Sequence, residues 1–185
     1  MEKSPAKDQL GDADLLALSG KGDEEAFVTL YNRHQGPIFR FALHMSGRRE
    51  TAEEVTQDVF LALLAGLPHY ARERGPLQPY LIGMARHHVR RYLAQPPAGP
   101  DGLQPDHDDP LHGITSEEEL AAVRAAVLKL PPNYREVIVL CDLEGLDYAQ
   151  AAARLGCALG TVRSRLHRAR AILEARLRRR ERCPV

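Results

Sequence analysis

The chain has little with which to build a crosslinked, metal-bound or membrane-spanning protein. Its three cysteines, Cys141, Cys157 and Cys183, lie far apart and form no CxxC. That spacing argues against a zinc site and fits reduced thiols. Cys141 and Cys157 stand among apolar neighbours and read as buried thiols rather than redox centres. No apolar run approaches the ~20 residues that cross a bilayer, so stable membrane insertion is not expected. The opening MEKSPAKDQLGDAD is polar and lacks the apolar stretch of a secretory signal, which makes the cytoplasm the expected location. Strand-like alternation is missing, so the expected fold class is all-α. Phosphate loop, nucleophile elbow and HExxH are missing as well, and no catalytic residue, metal or cofactor is expected.

Net charge is missing too: 25 basic and 25 acidic side chains cancel. A neutral total argues at first against a nucleic-acid partner, but its distribution reverses that. Residues 1–93 carry 12 basic and 12 acidic side chains, and residues 94–116 carry four Asp and no Lys or Arg. From Arg154 onward there are ten Arg against only Glu174 and Glu181. A phosphate backbone meets the local field, not the sum.

Proline and glycine divide the chain. Ala94–Ser116 holds five Pro, three Gly and four Asp with no helical apolar period, and reads as an extended acidic linker. The expected organisation is a tail over 1–9, a helical domain over 10–94, a linker over 95–116, a second helical domain over 117–180 and a short tail over 181–185. In the first domain, Asp12 or Asp14 can cap a short helix, and Asp23 with Glu24 and Glu25 opens a longer one. Pro37 is expected to kink or interrupt that helix, and Gly47 to end it. Thr51 with Glu54 reads as a capping box for a third helix. On it Ala52, Val55, Val59, Ala62 and Leu63 form the inner stripe, with Glu53, Gln57 and Asp58 elsewhere. A fourth helix is expected from about Pro79 to Leu93. In the second domain Ser116 with Glu119 is another capping box, and a helix over Arg135–Leu143 follows Pro131-Pro132.

The stretch DYAQAAARLGCALGTVRSRLHRARAIL, Asp147 to Leu173, is the most telling. Asp147 caps a helix of small residues, Gly156 supplies a turn, and an arginine-rich helix follows from near Gly160-Thr161. At 100° per residue, Val162, Leu166, Ala169 and Leu173 share one face. Ser164, His167, Arg168 and Ala171 point away, flanked by Thr161 and Arg163. This is the outline of a helix-turn-helix, whose second helix enters the major groove. Arginine can grip guanine bidentately, and Ser or Thr can address bases or phosphates. Arg165, Arg170 and Arg176–Arg180 suit phosphates or solvent better than base edges.

These residues also carry a family resemblance. LPPNYREVIVLCDLEGLDYAQAAARLGCALGTVRSRLHRAR resembles the C-terminal, region 4 domain of extracytoplasmic-function (ECF) sigma factors of bacterial RNA polymerase. AEEVTQDVFLALL resembles their core-binding helix, and ERGPLQPYLIGMARHHVRRYL the segment that engages the −10 element, both within region 2. The resemblance implies two small helical domains and an alternative sigma factor that directs core polymerase to promoters and assists melting. Glu54, Gln57 and Asp58 would face the polymerase clamp, with the flap region a second contact. Arg72, Arg74, Arg86, Arg90 and Arg91 would hold −10 phosphates. Tyr70 and Tyr80 are the local aromatics for unstacked bases, though Tyr80 fits a core position better. Thr161, Arg163, Ser164, His167 and Arg168 would read the −35 element. The acidic linker would thread toward the polymerase active site or serve as a plain tether. Promoter DNA is the implied ligand, and an anti-sigma factor an implied partner.

The chain departs from the family pattern at several points. Tyr80 stands where Trp is frequent, and Cys141 where a basic residue is common. Ala152 replaces a larger aliphatic residue, and Ala158-Leu159 a common Pro-Val turn. Two rivals remain. A stand-alone helix-turn-helix regulator would have no reason to carry Ala52–Leu64 together with Glu73–Leu93. A metalloenzyme would need His87, His88 or the linker set Asp106, His107, Asp108, Asp109 and His112 as ligands. Adjacent histidines face different sides of a helix, and the linker set lacks a rigid scaffold.

Overall fold

The computed structural model describes residues 7–66, 77–94 and 117–181. Among them every regular element is helical. A short 3₁₀ turn at Lys7–Gln9 precedes α1 (Asp12–Ser19), α2 (Glu24–Ser46), α3 (Arg49–Gly66) and α4 (Leu77–Leu93). The second half comprises α5 (Glu117–Leu128), α6 (Pro132–Ile138), α7 (Tyr148–Leu155) and α8 (Leu159–Glu181). Between α6 and α7 the helix widens into a π-helical turn, Val139–Leu143.

Helix α2 organises the first half. Asp23 caps it, accepting from the Ala26 N–H at 3.1 Å, and Lys7 Nζ clamps the same carboxylate at 2.7 Å. These bonds hold Asp23 below the usual carboxylate range and raise the Lys7 amine. Leu30, Ile38, Phe41, Ala42 and Met45 of α2 are buried against α1, α3 and α4. Each large apolar side chain so buried contributes roughly 1.5–3 kcal/mol. Pro37 sits inside α2 and the helix runs on through it to Ser46. Gly47 ends it at φ 74°, its N–H returning to the Leu43 carbonyl at 2.7 Å.

Two expected caps are not used. At α1 the N-cap is Gly11 without a side-chain bond, because Asp12 turns outward to α2. Its carboxylate takes Arg33 Nη1 at 2.6 Å and lies 2.9 Å from His34 Nε2. At α3 the helix has begun by Arg49, so Thr51 falls inside the first turn. The left-handed Gly47 turns the chain straight into α3. The Ser46 hydroxyl serves the corner instead, accepting from the Arg48 N–H at 3.2 Å. Ser116 lies outside the described residues.

In the second half, α8 packs across α5, α6 and α7. Val137, Ile138, Val139, Leu140, Leu155, Val162 and Leu166 make its core. The two halves are not separate bodies. Their apolar residues form one continuous cluster, with α2 touching α5 and α6, and α4 touching α7.

Candidate nucleic-acid interface

The helix-turn-helix is assembled by three local devices. Asp147 accepts from the Gln150 N–H at 2.7 Å, and the Gln150 side chain accepts from the Asp147 N–H at 3.2 Å. This reciprocal capping box starts α7. Gly156, at φ 63°, closes α7 with its N–H on the Ala152 carbonyl. Ala151 and Ala152 are buried, and their small size lets α8 approach closely. The small Ala152 is therefore a packing solution, whereas Ala158-Leu159 leaves Leu159 36% exposed.

On α8, Val162, Leu166 and Ala169 are at most 1% exposed. Arg163, Ser164, His167 and Arg168 are all exposed, and Thr161 is half-buried at their edge. The Ser164 hydroxyl donates to the Thr161 carbonyl at 3.1 Å, and the Arg163 guanidinium lies 6.0 Å from the Tyr148 ring centroid. Tyr148 thus orients Arg163 by a cation–π contact without burying it. Arg170 grips Asp142 with two bonds, 3.0 and 2.6 Å, which strengthens its hold on its proton. That arginine is committed to the π-helical turn, as its position off the reading face implies. Cys141, beside it, is half-buried rather than buried, and burial pushes its thiol up. Cys157 is also half-buried.

On α4 the candidate residues divide. Arg86 and Arg90 point toward the second half, where both bond to Glu136. Arg91 bonds instead to Asp58 of α3 at 2.8 Å, joined there by His88 Nδ1 at 3.1 Å and the Tyr92 hydroxyl at 3.3 Å. Burial, together with neighbouring Asp58, raises the Tyr92 phenol. Tyr80 is half-buried and lines a pocket of about 560 Å³ with Met84, His87 and, from α7, Ala153 and Arg154. Tyr70, Arg72 and Arg74 lie outside the described residues.

The candidate polymerase-facing residues on α3 divide as well. Glu54 and Gln57 are exposed, whereas Asp58 is held in the α3–α4 network. Gln57 borders a groove of about 780 Å³ between α2 and α3, lined by Phe27, Tyr31, Phe39, Phe60, Leu61 and Leu64. Leu61 and Leu64 are 56% and 40% exposed. Among the described residues no group of three or more potential metal ligands converges.

Comparison with known proteins decides what these surfaces belong to. The Sigma-70 region 2 family matches residues 30–95, and the Sigma-70 region 4 family matches residues 120–173. ECF RNA polymerase sigma factor SigC of Mycobacterium tuberculosis is 34% identical over 166 residues, 86% of this chain and 88% of that protein. The chain is an ECF RNA polymerase sigma factor. SigE of Mycolicibacterium smegmatis, another member, is 31% identical over 175 residues, 90% of this chain and 67% of its own length. Among solved structures, CnrH in complex with the cytosolic domain of CnrY superposes with TM-score 0.69 at 28% identity, covering 89% of this chain and 95% of that one. The sigma factor RpoE with the anti-sigma factor NepR from Bartonella quintana shares the fold, with TM-score 0.65 at 23% identity over 78% and 91%.

As a sigma factor, the chain shows surfaces that sequence reasoning passed over. Leu61 and Leu64 fall outside the inner stripe of α3 and remain apolar at the surface, a signal visible in the helical register. Glu136 is a second omission. It is fully buried beside Val137 and Ile138, and a lone carboxylate entering the apolar run Val137–Cys141 is its only trace in the sequence. Among the described residues no helix is long and apolar enough to cross a membrane.

Proposed function

We propose that this sigma factor directs core polymerase to promoters through two DNA grips and assists opening of the duplex. The observation that carries the reading is the division of α8: Val162, Leu166 and Ala169 are sealed inside while Arg163, Ser164, His167 and Arg168 stand clear. That face fits a major groove and would read the −35 element, with Thr161 at its rim. Helix α4 would present Arg86, Arg90 and Arg91 to −10 phosphates, joined by Arg72 and Arg74. Tyr70 and Tyr80 would meet unstacked bases. The domain boundaries proposed are residues 10–94 and 117–180, joined by the acidic segment 95–116.

Polymerase would dock on α3. Glu54 and Gln57 supply polar contacts to the clamp, and the Leu61–Leu64 edge of the groove supplies apolar area. Asp58 contributes through the position of α4 rather than by direct contact. The second domain would meet the flap. The protein works in the cytoplasm as a transcription factor without catalytic activity of its own, and an anti-sigma factor would restrain it.

In vitro transcription with core polymerase on a genomic library, followed by start-site mapping, tests this reading. Transcripts starting a fixed distance from a shared pair of motifs are expected. Leu61→Asp is expected to reduce transcription without lowering thermal stability, since Leu61 is already exposed. A gel shift on promoter DNA with and without core enzyme separates the rival: tight specific binding by the free protein marks a stand-alone regulator.

A further inference from the structure

Tyr148 stands where α7 meets α8, and two arginines of α8 share it. It is the first residue of α7, directly after Asp147, so the capping box that Asp147 makes with Gln150 fixes its backbone. Tyr148 itself is half-buried. Arg163 and Arg170 are seven residues apart on α8. That is two helical turns, which puts them on one stripe about 10.5 Å from each other. The ring of Tyr148 serves the first: the Arg163 guanidinium lies 6.0 Å from its centroid. Its hydroxyl serves the second. The Asp142 carboxylate does most to strengthen Arg170's hold on its proton, and the Tyr148 hydroxyl adds to it.

The two arginines are left in different states. Asp142 of the π-helical turn holds Arg170 with both carboxylate oxygens, at 3.0 and 2.6 Å. A forked pair of this kind fixes the plane of a guanidinium as well as its position, and neutralises its charge. Arg163 has a ring in place of a carboxylate. A cation–π contact holds the side chain and leaves the positive charge free to attract DNA. An exposed arginine gives up rotamer freedom when it grips a guanine edge. The contacts Asp142–Arg170–Tyr148–Arg163 remove part of that freedom in advance, which favours the one geometry they hold. Arg168, the other arginine of the reading face, has no such ring among the described residues.

We propose that Tyr148 is a specificity-determining positioning residue, which touches no base itself and sets, through Arg163, how strictly one base pair of the −35 element is read. The proposal rests on the assignment of α8 to that element. The ring carries the effect, because it is the part that meets Arg163. The hydroxyl only steadies the ring against Arg170, which Asp142 already anchors.

The test uses holoenzyme, reconstituted from core polymerase and the full chain. It is bound to a pool of fragments of one mapped promoter, randomised over the −35 element, and the retained fragments are sequenced. Arg163→Ala identifies the base pair that Arg163 reads, as the position whose preference collapses. Tyr148→Leu is expected to weaken the preference at that same position about two- to fivefold, the worth of an exposed cation–π contact, and to leave the other positions unchanged. The double variant Tyr148→Leu/Arg163→Ala should relax no further than Arg163→Ala alone. Tyr148→Phe keeps the ring and should keep the wild-type preference. A ring-fluorinated phenylalanine at position 148 has nearly the same shape but withdraws electron density from the ring face, and should relax the position as leucine does. Weakening spread evenly over all positions by Tyr148→Leu marks a merely structural role and overturns the proposal. So does relaxation by Tyr148→Phe equal to that by Tyr148→Leu, or a fluorinated ring that reads as strictly as Phe. Should Tyr148→Leu fail to fold by circular dichroism, the comparison of Phe with its fluorinated form decides alone. If Arg163→Ala changes no position, the −35 reading of α8 itself fails and the proposal falls with it.

Discussion

Two left-handed glycines offer a measurement of how firmly the halves are joined. Gly47 and Gly156 have φ 74° and 63° and both close helices. An alanine at either position bears the left-handed penalty, about 1–2 kcal/mol. They differ in what a Cβ would meet. At Gly156 nothing lies within 4 Å. At Gly47 the new methyl would stand 2.6 Å from Leu128 Cδ1 and 2.9 Å from Cδ2. Overpacking costs about 1–3 kcal/mol, and the half-buried Leu128 can rotate aside, which places this clash near 1 kcal/mol. Gly47→Ala should therefore cost about 2–3 kcal/mol and Gly156→Ala about 1–2. Urea unfolding followed by far-UV circular dichroism measures both. Leu128 belongs to α5 in the second half, so the excess exists only while the halves are together. In a Leu128→Ala background the cost of Gly47→Ala should fall to that of Gly156→Ala, a coupling of about 1 kcal/mol. Coupling within the ~0.3–0.5 kcal/mol of ordinary additivity would refute the reasoning. So would equal costs for the two glycines in the wild-type background.

Asp147→Ala removes the acceptor that starts the helix-turn-helix and should lower stability by about 1 kcal/mol in thermal unfolding, with Asp147→Asn retaining most of it. Acid should weaken the protein through His34, whose burial lowers its pKa below the ordinary 6.5 despite the opposing Asp12. The unfolded chain then binds that proton more readily, so the contribution is intact above about pH 6.5 and is lost as pH falls through the folded value. One such proton changes stability by at most about 1.4 kcal/mol per pH unit. Glu144, pushed up by burial, works in the opposite direction on acidification. The test is therefore the difference between wild type and His34→Gln, whose stability should decline less steeply between pH 7 and 5.5.

Local chemistry made much of the fold legible. Asp23, Gly47, Asp147 and Gly156 act within a few residues of themselves, and each closes or opens the helix expected of it. The α8 faces follow from helical period alone, and the structure places Val162, Leu166 and Ala169 inside as that period requires. What the sequence hid depends on distant partners. Asp12 looks like a cap and instead bonds Arg33 and His34 some twenty residues on. Arg86 and Arg90 look free for phosphate, and Glu136, which holds them, is 46 to 50 residues away. A charge that is buried between two halves has no periodicity to betray it. Thr51 illustrates a smaller failure: the sharp turn at Gly47 moved the helix start upstream of a credible capping box.

Asp58 carries a consequence for how this chain can vary. On the surface of α3 it looks interchangeable with any acidic neighbour, yet one of its oxygens serves an imidazole, a guanidinium and a phenol together. Lengthening to Glu would displace all three; neutralising to Asn would leave Arg91 without its counter-ion. Positions 58, 88, 91 and 92 therefore drift as a set. An alignment of near relatives should show them changing together, while Glu54, one helical turn away and exposed, changes alone.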